Sequence, residues 1–256
     1  MFNIFVTISI LITVFLSFIL NQKNKCKNFK IPKVIYQTYP GIKGENLPDD
    51  VQKNINFIKK LNPEWEYKLF RDDEIEDFIS KEYDNYYYRL YKKINKNYGP
   101  ARADFFRYLL MYKKGGVYLD IKSSMSKPLN DIIDTCDEYV LSNWTSREWN
   151  EELEYYYGEF QQWYVISIPN HPFLKSVIDT VSKNIEKYQI KDGVGKKGVL
   201  FITGPVAYTK AILPILNNYK CSIYHYGVPG LVYNNIKDYK KLFKKHYSEL
   251  KEKIIF

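Results

Sequence analysis

The stretch from Gly99 to Leu129, GPARADFFRYLLMYKKGGVYLDIKSSMSKPL, carries charged residues that neither a helix nor a strand needs for packing. Asp104 and Arg107 are three apart, which makes them neighbours on a helix surface. They form either an intrahelical ion pair or a carboxylate and guanidinium offered to a polar ligand. Asp120 lies where a short apolar run ends, and Lys122 follows two residues later. In open α/β sheets ligands bind outside the carboxyl ends of strands, so an acid there is placed for a ligand. The alternative is a surface aspartate with no role.

The elements that must position these groups have readable ends. Pro100 suits a first helical turn and Gly115 the left-handed position past the last one, with Lys113 and Lys114 favourable at the negative pole of the dipole. Ala101, Phe105, Tyr108, Leu109 and Tyr112 recur at spacings of three and four and predict one apolar face, with Asp104 and Arg107 at its edge. Gly116 to Ile121 is too short for a helix and reads as a strand. Alternation then puts Val117, Leu119 and Ile121 on one face and Tyr118, Asp120 and Lys122 on the other.

The block ARADFFRYLLMYKKGGVYLD resembles the signature of the glycosyltransferases with a "DXD" sugar-binding region, glycosyltransferase family 32. That family includes yeast-type initiating mannosyltransferases, capsule-synthesis enzymes and homologues from large DNA viruses, and clostridial glucosylating toxins show a related block. The match is specific over Gly99 to Leu129 and looser from about Ile31 to the C-terminus. The resemblance implies a GT-A fold, a Rossmann-like mixed α/β sheet flanked by helices. It also implies a nucleotide-sugar donor (a UDP- or GDP-hexose) and transfer with retention of configuration to a glycan or glycoprotein acceptor.

By that resemblance Asp104 and Arg107 bind donor-sugar hydroxyls, and Asp120 holds the ribose or a divalent cation, with Mn2+ the expected ion. Gln37 and Thr38 come from a P-K-x-I-x-Q-T segment whose end lies beside the nucleotide. Asp72, after W-x-Y-x-L, is placed near the donor, with a helix cap as the alternative. His246 matches a C-terminal histidine near the diphosphate, where an imidazole can ligate a metal or pair with phosphate. Gln162 lies roughly where related enzymes place a polar residue near the acceptor, and His171 matches an H-P-F pattern that serves a turn. One departure matters: the family's Asp-x-Asp reads Asp120-Ile121-Lys122. A protonated lysine ligates no cation, so the ammonium replaces part of a metal's charge, or Asp120 and His246 hold the metal with ligands from elsewhere, or the copy is impaired.

The remaining chain divides simply. Phe2 to Leu20 has no charged side chain and is about long enough to cross a hydrocarbon core, so residues 1–22 read as a single-pass anchor, with a signal peptide as the alternative. Residues 23–30 are a basic linker, and 31–256 suit a single GT-A domain. The lysines at 23, 25, 27 and 30 argue for a cytosolic domain, whereas enzymes of this resemblance usually face a secretory lumen. The side of the membrane stays open.

Three cysteines, an odd count, imply no disulfide framework. Asn143-Trp144-Thr145 fits a glycosylation acceptor and is weak evidence for a lumen. The net charge of +9 suits an acidic ligand such as a nucleotide diphosphate. The basic residues are spread along the chain and no zinc-type or RNA-binding motif occurs, so nucleic acid is not an expected partner. Tyr86, Tyr87 and Tyr88 are either an aromatic shelf for a sugar ring or packing, and Gly193 to Gly198 reads as a flexible loop. The leading reading is a membrane-anchored retaining glycosyltransferase. The alternatives are a silent sugar-nucleotide-binding relative and a basic membrane-tethered protein that binds polyanions.

Overall fold

A computed structural model describes residues 29–144, 158–236 and 247–256. The chain builds a six-stranded sheet in the order β2-β1-β3-β6-β5-β7. Its strands are β1 (Val34–Thr38), β2 (Glu66–Phe70), β3 (Gly116–Leu119), β5 (Tyr139–Ser142), β6 (Tyr164–Ser167) and β7 (Ser222–Tyr224). β1 is parallel to β2 and β3, β5 is parallel to β7, and β6 runs antiparallel to β3 and β5 between them. A separate antiparallel pair joins β4 (Ser124–Met125) to β8 (Leu231–Val232).

Alternation along the strands divides the core between the two sheet faces, as the sequence pattern predicts. Tyr36, Tyr118, Tyr139 and Val165 pack on one side with helices α2 (Asp72–Glu82), α3 (Asn85–Lys93), α4 (Gly99–Lys114), α5 (Pro172–Lys187), α6 (Gly195–Ile202) and α7 (Pro205–Ile212). Ile35, Val117, Leu119 and Ile166 pack on the other with Ile58 of α1 (Asp49–Leu61). Tyr86, Tyr87 and Tyr88 lean on the first cluster, which settles their packing role. His171 is the N-cap of α5, its Nδ1 accepting from the Phe173 N–H at 3.2 Å. Burial holds its pKa down at about 4, so the ring is neutral and able to accept that bond.

Several expectations need correction. β3 ends at Leu119 and residues 121 and 122 form a turn, so strand alternation does not aim Lys122. Gly195 to Gly198 open helix α6 rather than a flexible loop, and a Cβ on Gly198 would come within 2.5 Å of Ile254 Cδ1. Asn143 is buried and accepts the Tyr226 N–H on its side-chain oxygen at 3.2 Å, so in the folded chain it is not an open glycan acceptor. Cys136 is disulfide-bonded, where the odd count led to no such expectation. The expected anchor lies outside the described residues. Among the described residues Gly195–Asn218 is apolar and long enough to cross a membrane, but it is α6, α7 and a short 3-10 turn, 56% buried within the fold.

The junction of α4 and β3 depends on Gly115 and Gly116, at φ 62° and 98°. A Cβ at 115 would meet Pro169 N at 2.6 Å, and one at 116 would meet Val34 O at 2.7 Å. Both are backbone atoms that cannot swing aside. Gly116→Ala is therefore expected to cost at least ~2 kcal/mol of stability, read as a lower urea midpoint with an unchanged m-value.

Candidate functional site

Helix α4 brings Asp104 and Arg107 inside the protein rather than to the edge of an apolar face, at 2% and 3% exposure. The helix is buried on nearly all sides, because β3 and β6 cover one flank and α5 and α6 the other. The intrahelical ion pair is therefore present but desolvated. Arg107 Nη2 lies 3.1 Å from Asp104 Oδ1 and 2.9 Å from Asp120 Oδ1. Its Nη1 donates to the Gln162 carbonyl at 2.6 Å and to Gln162 Oε1 at 2.8 Å, and Nε reaches the Ala103 carbonyl at 3.4 Å. A guanidinium has five N–H donors, and these contacts engage all of them. The plane also lies over the Tyr118 ring, 4.7 Å from its centroid.

Asp104 is equally enclosed. It accepts from Gln162 Nε2 at 3.0 Å and from Thr203 Oγ1 at 3.0 Å. The Gln162 carboxamide thus donates to the acid and accepts from the base, and Tyr108 OH donates to its Oε1 at 3.2 Å. Asp120 is the member of the cluster that meets solvent, with 25% of its side chain exposed. Its backbone is pinned by its own N–H to Trp163 O at 2.8 Å and by Gln37 Nε2 donating to its carbonyl at 3.1 Å.

Burial and charge pull these groups in different directions. Burial alone would lower the Arg107 pKa, but Asp120 first, then Tyr118 and Asp104, raise it well above its ordinary value. Burial lifts the Asp104 carboxyl from 3.8 to about 6, outweighing Arg107, whose charge it shares with Asp120. Tyr118 is pushed up to about 12, also by burial first. Tyr247 is raised by burial first and then by its neighbours Asp104, Tyr233 and Asp120.

The other expected residues sit at three distances from this centre. Gln37 joins it through Asp120 and accepts from Tyr67 OH at 2.8 Å, while Thr38 shares a 2.9 Å hydrogen bond with Tyr118 OH. Lys122 stands to one side, its Nζ 2.9 Å from Tyr233 OH and 4.2 Å from that ring's centroid. Tyr233 is held in turn by Trp144 and Trp163, at 5.1 and 5.4 Å between centroids. Asp72 is not brought into the cluster. It opens α2 and ties down the loop after β1, accepting the Gly41 N–H at 2.9 Å. His246 lies outside the described residues. A cavity of about 550 Å3 opens beside the carboxyl end of β2, lined by Leu47, Tyr67, Arg71 and Glu74 among others, and Tyr67 of its lining donates to Gln37.

Sequence reading missed the parts Thr203, Tyr108 and Tyr233 play. Thr203 had a signal, since it opens the Thr203-Gly204-Pro205 turn before α7, but nothing in spacing joins it to a carboxylate 99 residues away. The divalent cation that the resemblance implies does not fit the described residues. Lys122 stands at the second acidic position, Asp120 is engaged by Arg107, and no group of three or more His, Cys, Asp or Glu among them is placed to hold a metal.

Comparison with known proteins bears on the same stretch. Residues 48–139 match the family model of the glycosyltransferase sugar-binding region containing DXD motif. The resemblance to family 32 is borne out by the relatives. The chain is similar to the initiation-specific alpha-1,6-mannosyltransferase of Schizosaccharomyces pombe, at 27% identity over 73% of this chain and 49% of that protein. It is similar to inositol phosphoceramide mannosyltransferase 1 of the same yeast, at 27% over 63% and 46%. An uncharacterized glycosyltransferase of Acanthamoeba polyphaga mimivirus matches at 27% over 70% and 66%. The chain spans about half the length of the two yeast relatives.

Among solved structures the PaToxG glycosyltransferase superposes with a TM-score of 0.56 at 17% identity, covering 73% of this chain and 72% of that one. The UDP-bound glycosyltransferase domain from the YGT toxin gives 0.55 at 9%, covering 79% and 80%. The sheet and its helices are thus of the GT-A-like glycosyltransferase kind.

Two outcomes are expected for stability. Arg107→Ala leaves two carboxylates without their cation, and truncating one partner of a buried pair costs ~3–5 kcal/mol, so urea denaturation should show a large loss. That is a large share of the roughly 5–15 kcal/mol of a typical domain, so alanine at 107 threatens the fold itself. Asp104 titrates higher in the folded chain than unfolded, so between about pH 4 and pH 6 the native state holds the extra proton. Its contribution to stability falls as pH rises through that window and is level above it. Comparing unfolding of wild type and Asp104→Asn across this range should show the slope in the wild type alone.

Proposed function

We propose that the chain is a retaining glycosyltransferase that moves a hexose from a nucleotide-sugar donor to a glycan or glycoprotein acceptor. One observation carries the reading. Within the segment that matches the sugar-binding family model, a carboxylate, Asp120, is held at the carboxyl end of β3 by a fully engaged buried arginine. In the free protein the Gln162 carboxamide donates to Asp104 and accepts from Arg107, the pattern that two neighbouring sugar hydroxyls would satisfy. A donor sugar that displaced it would keep both buried charges paired. Mannose is the favoured hexose, on the names of the two yeast relatives.

Around that point, Asp120 meets the donor's ribose and Lys122 the diphosphate. An ammonium has three N–H donors, and Tyr233 takes one of them. Lys122 supplies fixed positive charge where the family motif would place a second acid. The cavity beside Tyr67 and Arg71 has the size of a small-ligand pocket and takes the nucleoside, next to Gln37 and Thr38. In a retaining transfer the leaving phosphate itself accepts the acceptor's proton, so no side chain is assigned as general base. An anchor at 1–22 and a basic linker at 23–30 complete the reading and hold the domain at a membrane.

The test is hydrolysis and transfer from a panel of GDP- and UDP-sugars by the full chain in detergent. One donor should turn over, and Asp120→Asn should lower kcat/KM by about 100-fold or more, as for loss of a charged hydrogen-bond partner. Chelator should leave wild-type turnover unchanged, while Lys122→Asp, which restores the Asp-x-Asp pattern, should make turnover depend on manganese. Nucleotide binding without turnover of any donor would replace this reading with the silent relative.

A further inference from the structure

The cavity beside β2 has an apolar wall, made by Leu47, Leu69 and the ring of Tyr67, and two side chains of opposite charge, Arg71 and Glu45. Arg71 stands between β2 and α2 with only 6% of its side chain exposed. Its backbone is fixed, because its N–H donates to Glu74 Oε2 at 3.2 Å and so caps α2. One face of its guanidinium lies toward the Tyr39 ring, 5.3 Å from the centroid. Nη2 reaches Glu45 Oε2 at 3.3 Å, whereas Nε and Nη1 make no hydrogen bond among the described residues. This is the reverse of Arg107, whose donors are all engaged. A buried cation with open donors is costly, and an acceptor brought into the cavity removes that cost. Glu45 is aimed by Oε2, which also accepts the Ile42 N–H at 3.1 Å, and Oε1 makes no hydrogen bond among the described residues. The two charges meet because residue 41 is glycine: at φ 103°, a Cβ there would run into Glu45 Oε2 and come within 2.6 Å of Arg71 Nη2.

We propose that Arg71 and Glu45 read the base of the donor nucleotide, and that the edge they take has a carbonyl oxygen next to a ring N–H. This rests on the reading that puts the nucleoside in the cavity. The open N–H groups of Arg71 donate to the carbonyl, and the free oxygen of Glu45 accepts from the ring N–H. Guanine offers O6 beside N1–H and uracil O4 beside N3–H, so both fit. Adenine and cytosine offer the reverse, an amino group beside an unprotonated ring nitrogen. Set against this pair, their amino hydrogens would face the guanidinium and their lone pair the carboxylate, so the two protein charges themselves select against them. A site built to make such hydrogen bonds rejects a ligand that cannot complete them far more strongly than a misfit of shape does. Arg71 and Glu45 are therefore specificity residues rather than catalytic ones, since they touch the base and not the sugar that is transferred.

The full chain in detergent is titrated by calorimetry with GDP, UDP, ADP and CDP, which share the ribose and diphosphate and differ only in the base. GDP or UDP should bind at least ~10-fold more tightly than ADP and CDP. A preference for GDP would mean that its 2-amino group gives Glu45 a second donor, and a preference for UDP that the single ring N–H is enough. Glu45 is 53% exposed, so Glu45→Gln should fold with little change in Tm. That variant should bring the four nucleotides to within about 3-fold of one another, by weakening the favoured one and leaving ADP where it was. Arg71→Lys, which keeps the charge and loses the planar fork, should narrow the ratio in the same way. If it does not fold, the Glu45→Gln ratio decides. Equal binding of all four by the wild type, a preference for ADP or CDP, or a ratio that Glu45→Gln leaves unchanged would overturn the base-reading pair while leaving a nucleotide site in place. Binding of none of the four would overturn the nucleoside's place in the cavity, and this proposal with it.

Discussion

The structure depends on one buried guanidinium. Arg107 reaches from the middle of α4 to Asp120 at the end of β3 and to both the backbone and side chain of Gln162 before β6, while Asp104 carries the network on to Thr203 ahead of α7. A desolvated cation is tolerated only where its hydrogen bonds and counter-charge are complete. That requirement fixes the spacing of four chain segments at once. The antiparallel strand β6 is central to it, because its reversed direction brings Gln162 and the Trp163 carbonyl to the end of the sheet where Asp120 emerges.

The same constraint explains how the site is built. Three parallel strands, β2, β1 and β3, end side by side, and the residues just beyond their ends are tied down by hydrogen bonds rather than left loose. Asp72 secures the loop after β1, Gln37 secures the backbone of Asp120, and Tyr233 secures Lys122. A cluster that exposes one carboxylate and buries its supports pays its reorganisation cost in folding, so the exposed group is already aimed when a ligand arrives. The half-buried, aromatic-backed ammonium of Lys122 belongs to the same logic. Its charge is fixed in place by a ring and a phenol.

The linker end is governed by a different interaction. Lys30 and Ile31 are fastened to the turn before β5 by a backbone hydrogen bond, an ion pair and burial, so the chain enters the fold at a defined point. An odd cysteine count was read as the absence of a framework, yet Cys136 is disulfide-bonded and Cys221 is free.

Local chemistry was legible in the sequence, and its assembly was not. Helix α4 and its double-glycine stop, the alternation of β3, the α1 helix, the cap at His171 and the sugar-binding signature all arise from residues within a few positions of one another, where propensity, periodicity and turn geometry act. The burial of Asp104 and Arg107, the pairing of Arg107 with Asp120, the bridge by Gln162 and the seat of Lys122 on Tyr233 join residues 13 to 111 positions apart. No periodicity reports on such pairs, because they are decided by which strand lies beside which and by the need to satisfy every buried charge. Asp72 shows the converse: its place after a strand looked like a site, and the tertiary structure used it to hold a loop. The sequence by itself determined a segment that resembles a glycosyltransferase sugar-binding region and roughly where its helix and strand lie. Only the tertiary structure decided which of its charges face a ligand and which hold the protein together.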